Sequence, residues 1–154
     1  MVERIYPVGI QTFSDIIKRG CVYVDKTDLI YKLTKKYKYV FLSRPRRFGK
    51  SLLSTTLHSY FAGEKDLFKG LAIEGLEKDW TEYPVLHFDM STFKYCDIKY
   101  FDEKFDIQLE DYEKKYGIER SKKTPGNRLT TLIKTIKEKT GKDLVIIIDE
   151  YDAP

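Results

Sequence analysis

Residues 43–51 read Ser43-Arg44-Pro45-Arg46-Arg47-Phe48-Gly49-Lys50-Ser51, and LLSTTLHSYF follows over 52–61. Leu52, Leu53, Thr56, Leu57, Tyr60 and Phe61 recur at helical spacing, while Tyr39–Ser43 before the loop is a short, mostly apolar run of strand type. The local order is therefore strand, loop, helix. The loop ends in the GK[ST] half of the phosphate-binding pattern GxxxxGK[ST]. Gly49 permits a backbone that closes around phosphate oxygens, and the amides opening the next helix point at them, where the helix dipole also favours negative charge. Lys50 supplies a point charge for β and γ phosphates, and the Ser51 hydroxyl suits magnesium. Arg44 stands where the pattern has its first glycine, so the backbone there must not require a positive φ. Taken alone, the triplet reads more readily as a helix N-terminus with a serine near its cap than as a nucleotide site.

A second element tips that balance. Leu144-Val145-Ile146-Ile147-Ile148 is an unbroken apolar run that delivers Asp149 and Glu150 at its C-terminal end. Such runs suit a strand covered on both faces in a parallel sheet, and ligands of open α/β sheets bind beyond the carboxyl ends of the strands. Asp149 is expected to hold magnesium and Glu150 to orient and deprotonate the attacking water. Adjacent acids on an extended chain point to opposite sides and can do two jobs. A buried strand whose polar end simply meets solvent is the competing reading.

The remaining pattern is consistent with alternating helices and strands. Thr12–Lys18 has helical spacing and Gly20 stops it; Val22–Val24 is briefly extended; Asp28–Lys36 is amphipathic with Leu29, Ile30 and Leu33 on one face. Tyr83–Met90 reads as a strand, and Tyr100–Tyr116 and Arg128–Lys139 as helices. The expectation is an α/β layer architecture with right-handed crossovers. Residues 1–37 form a lead-in packed on a core that occupies 38–154.

The chain has 154 residues, 42% hydrophobic and 34% charged, with 9 Gly and 5 Pro, which describes an ordinary globular protein about one domain in size. Its net charge of +4 is small, and both signs alternate through Tyr112–Lys123, which argues for solvated faces over a nucleic-acid patch. Cys21 and Cys96 lack a CxxC partner and are expected as reduced thiols in a cytoplasmic protein. No stretch approaches the length of a membrane span, so no membrane is expected.

The strings YVDKTDLI at 23–30, LSRPRRFGKSLL at 42–53, YPVLHFDMS at 83–91 and VIIIDEYDAP at 145–154 resemble the AAA-ATPase-like family of bacterial P-loop ATPases over essentially the whole chain. The resemblance implies a P-loop NTPase three-layer sandwich with a mostly parallel sheet, and ATP and magnesium as ligands. It makes the arginine-rich loop the family's usual form, so that Arg44 is a family variation. It places nucleotide contacts on Gly49, Lys50 and Ser51, and the candidate set extends to Arg46, Arg47, Phe48 and Leu52. Lys50 and Glu150 are the catalytic candidates; Ser51 and Asp149 are the magnesium candidates. Family members are often longer and fused to a domain similar to PD-(D/E)XK nucleases. The resemblance further implies a sensor strand, beyond residue 154, inserted between the P-loop strand and the Asp149 strand. The sheet is therefore expected to be incomplete at its C-terminus, with binding surviving better than turnover.

Other residues carry weaker signals. Arg44, Arg46 and Arg47 could neutralise a triphosphate or touch a nucleic-acid backbone. Asp89 and Ser91 could support a magnesium water or cap the next segment. His58 and His87 read as packing residues, and Phe93, Tyr95, Tyr100, Phe101 and Phe105 as core aromatics rather than base-stacking platforms. Tyr151 and Asp152 are assigned no catalytic role. The leading function is an ATPase that drives conformational change in a larger protein, alone or with a protein partner or second copy, and with nucleic acid only through a further C-terminal domain. A non-catalytic nucleotide-binding or interaction module and a small-molecule phosphotransferase are the alternatives, and ATP against GTP stays open.

Overall fold

The computed structural model describes residues 5–45, 47–91, 98–120 and 124–151. The chain forms two compact units, residues 1–82 and 83–154.

In the first unit, helices α1 (Phe13–Lys18), α2 (Thr27–Lys36) and α3 (Lys50–Phe61) are followed by two 3-10 turns, Lys65–Phe68 and Ala72–Gly75. Gly20 ends α1 in the left-handed region at φ 64°, which places the Gly20 and Cys21 amides on the Ile17 and Ile16 carbonyls. Phe13, Ile30, Tyr60, Phe68 and Ile73 form the buried core. Leu52, Leu53, Leu57 and Trp80 close around it. The Val-Asp-Lys-Thr part of the YVDKTDLI string works as a staple. The Asp25 carboxylate accepts from the Thr27 amide (2.9 Å), the Thr27 hydroxyl (2.7 Å) and the Ala72 amide (2.7 Å), while Thr27 Oγ1 accepts from the Ile73 amide (3.0 Å). Partial burial pushes the Asp25 carboxyl up, but these bonds outweigh it and leave its pKa lowered. Leu29, expected on the buried face of α2, is 56% exposed, and Thr27 takes its place beside Ile30.

The expected strand at 39–43 is irregular chain: Tyr39 is 86% and Phe41 75% exposed. An apolar run becomes a strand only where a sheet edge takes up its backbone. Among the described residues the sheet holds two strands, both in the second unit.

Those strands are β1 (Val85–Asp89) and β2 (Val145–Asp149), parallel, with Val85 opposite Val145 and Asp89 opposite Asp149. Helices α4 (Ile98–Lys115) and α5 (Pro125–Thr140) complete the unit. Leu86 and Phe88 pack with Leu109, Leu132 and Ile136. Their register partners Ile146 and Ile148 are 43% and 51% exposed, so β2 is not covered on both faces as expected; the core forms over β1. The far edge of β1 is closed by side chains of α4. Tyr112 Oη accepts from the His87 amide (2.6 Å) and donates to the His87 carbonyl (2.9 Å); Gln108 accepts from the Asp89 amide (3.2 Å) and donates to its carbonyl (2.9 Å). Arg128, 1% exposed, makes a bidentate pair with Glu113 (2.9 and 2.6 Å) and also meets Asp106, fixing α5 against α4. The fold is thus α/β with a small parallel sheet.

A buried carboxylate contributes to the acid stability of the first unit. Glu77, 5% exposed, accepts from the Tyr60 hydroxyl, from Lys35 (3.0 Å) and from the Lys78 and Asp79 amides. Burial pushes its carboxyl up, yet these donors hold it at about 2 against an ordinary 4.5. The folded-state pKa is the lower one, so this contribution is complete above about pH 4.5 and is lost as pH falls through about 2. Urea denaturation at pH 7 and pH 3 should show a loss of at most about 3 kcal/mol from this group, and Glu77→Gln should remove that part of the slope.

Candidate functional site

The phosphate-loop candidates lie in the first unit. The chain passes through the left-handed region at Arg47 (φ 68°) and again at Gly49 (φ 76°, ψ 24°), the cap residue of α3. Arg44 is not among the positive-φ residues, as its side chain requires. The strain falls on Arg47 instead, a non-glycine residue held in a sparsely populated conformation of the kind that collects at ligand clamps. Arg46 lies outside the described residues. The Gly49 carbonyl accepts from the Leu53 amide (3.0 Å), which starts the helical ladder, and Lys50 and Ser51 form its first turn. Glycine offers no side-chain acceptor at this cap, so the first-turn amides face out of the helix end with the positive end of the dipole. A Cβ at Gly49 would meet nothing within 4 Å.

Helix α3 is held from behind. Thr55 Oγ1 accepts from the Phe13 amide (3.1 Å), joining α3 to the start of α1. Leu52 packs its side chain on the core, so it can serve a ligand only through its backbone. Phe48 is 66% exposed beside the cap. His58 is half-buried within α3, and Cys21 is a buried free thiol; Cys96 lies outside the described residues.

The carboxylate candidates lie in the second unit. Asp149 is the last residue of β2 and 8% exposed. Its carbonyl accepts from the Met90 amide (2.9 Å), and its Oδ1 accepts from the Glu150 amide (2.9 Å). Glu150 corrects an expectation: it does not continue the extended chain but turns at φ 54°, half-buried. The two acids are separated by this turn and not by strand alternation. The self-directed bond from Asp149 to the next amide gives the turn its local support. Tyr151 is 43% exposed, and Asp152 lies outside the described residues.

On β1, the Ser91 amide donates to Asp89 Oδ1 (2.8 Å), the capping contact anticipated for this pair. His87 is half-buried; burial pushes its pKa down, with Asp149 and Asp89 opposing. Phe101 and Phe105 stack together and Phe105 packs on Phe88; Phe93 and Tyr95 lie outside the described residues. Gln108 and Tyr112 went unmarked in the sequence, although their spacing of four places them on one helical face.

The donor chemistry fits a hard divalent cation. A hydroxyl such as that of Ser51 and a carboxylate such as that of Asp149 are each hard oxygen donors of the kind that magnesium accepts alongside phosphates and water.

The chain belongs to the AAA-ATPase-like family, whose sequence profile, described as "Predicted AAA-ATPase", matches residues 7–154. It is 36% identical over 156 residues to a protein from Azotobacter chroococcum mcd 1 described as "Uncharacterized protein in vnfD 5'region", a match that covers 100% of this chain. The chain spans 30% of the length of that relative. No solved structure matches it significantly.

Gly49→Ala tests the loop geometry. With no crowding around the new methyl, the cost is that of the left-handed backbone, about 1–2 kcal/mol. Thermal denaturation should show a loss of this size, and Gly20→Ala, also at positive φ and without crowding, should lose a similar amount.

Proposed function

We propose that this chain is the nucleotide-binding portion of a magnesium-dependent ATPase built on a P-loop sandwich, whose nucleotide cycle drives conformational change in a larger protein. The observation that carries the reading is the left-handed Gly49 cap opening directly onto Lys50 and Ser51 in the first turn of a 12-residue helix. Family membership supports nucleotide and magnesium as the ligands. The residues divide the work according to their chemistry. The first-turn amides of α3 receive phosphate oxygens, and the Lys50 ammonium offsets charge on the β and γ phosphates. Phe48 stands beside the cap, and the arginines at 46 and 47 of the sequence would add charge-assisted donors for phosphate. Ser51 and Asp149 hold magnesium, which when bound neutralises charge developing on the transferred phosphoryl group. Glu150 accepts a proton from the attacking water.

Calorimetric titration of magnesium and ATP into the chain checks the reading, with Lys50→Ala as control. Micromolar binding is expected in the wild type, and the variant should lose roughly 2–3 kcal/mol or more of it, the scale of a charge-assisted bond. Absence of binding by a folded wild-type chain would refute the assignment. Binding without phosphate release would favour a nucleotide-binding module over an ATPase.

A further inference from the structure

Asp89 is the last residue of β1 and stands in register with Asp149, the last residue of β2. Register partners on adjacent strands project to the same face, so both carboxylates leave one face of the sheet at its carboxyl end. His87, two residues back on that face, is within electrostatic reach of both. Asp89 is solvent-exposed, yet its backbone is pinned. Gln108 binds its amide and its carbonyl from the outer edge, and on the inner edge the Met90 amide beside it donates to the Asp149 carbonyl. Capping of the Ser91 amide uses one lone pair of Oδ1, and an ionised carboxylate has about four such acceptor sites. A bound magnesium keeps several waters, each with protons to place, and acceptors in its outer shell shape its affinity.

We propose that Asp89 is a positioning residue of the magnesium site, its carboxylate holding a magnesium-bound water beside Asp149. This rests on the reading of Asp149 as a magnesium ligand. The competing role for Asp89 is a cap on Ser91 and nothing else. Asp89→Asn separates the two, because the amide oxygen can still accept from the Ser91 amide while the charge and one acceptor oxygen are gone.

The measurement is Mn2+ binding to the 154-residue chain in the presence of ATP, followed by electron paramagnetic resonance, with ATP binding in EDTA and the melting temperature as companions. Asp89→Asn should weaken Mn2+ binding roughly tenfold, the range seen for outer-shell partners, with the two companion readouts near wild type. Asp89→Glu should restore part of the loss. Wild-type Mn2+ affinity in Asp89→Asn, alongside clear weakening in Asp149→Asn, would overturn the proposal and leave the site reading intact. A loss shared with the melting temperature and with metal-free ATP binding would make Asp89 structural and also overturn it. No Mn2+ effect even in Asp149→Asn would remove the site reading and this proposal together.

Discussion

The parallel pairing of Val85–Asp89 with Val145–Asp149 is the constraint from which the second unit follows. Parallel strands need a crossover, and here it carries both α4 and α5. Pairing satisfies one edge of β1 and leaves the amide and carbonyl groups of His87 and Asp89 facing away from β2. Buried backbone groups must find partners, and Tyr112 and Gln108 provide them from α4. That closure fixes the rotation of α4, and the Arg128–Glu113 pair then fixes α5 against it. A buried pair of this kind adds little net stability, but removing one partner strands a charge, so it constrains the arrangement of the helices strongly. The consequence for function is that two carboxylates end in register at one rim of the sheet.

In the first unit the corresponding constraint is the position of the α3 N-terminus. A phosphate-binding helix end works only if its amides are already aimed before the ligand arrives. Gly49 supplies the turn, Thr55 ties the helix to α1, and at the far end Tyr60 is anchored on Glu77. The Asp25–Thr27 staple attaches α2 to the segment at 72–73, which closes the core around Phe68 and Ile73.

Much of this was legible in the sequence because it is periodic. Apolar spacing located all five helices of the described residues, and the dense runs at 83–90 and 145–148 located both strands. The run at 39–43 misled because apolarity reports a wish for burial, and only a neighbouring edge decides whether that becomes a strand. Exposure of Ile146 and Ile148 was hidden for the same reason: periodicity cannot say which half of a sheet the helices cover. Among the candidate site residues, Gly49, Lys50, Ser51 and Asp149 were visible as a motif in chain order. The turn at Glu150 and the strain at Arg47 were not, since nothing about a glutamate or an arginine announces a positive φ. Gln108 and Tyr112 act across more than 15 residues on the backbone of another element, a contact that no local pattern encodes.

The central claim is the proposal that the Gly49 helix end receives the phosphates of magnesium ATP. Hydrogen–deuterium exchange of the chain with and without magnesium and ATP tests it directly. The account predicts that amides in 47–53 become protected, and that the change disappears in Lys50→Ala. Unchanged exchange in 47–53, or protection persisting in the variant, would contradict it.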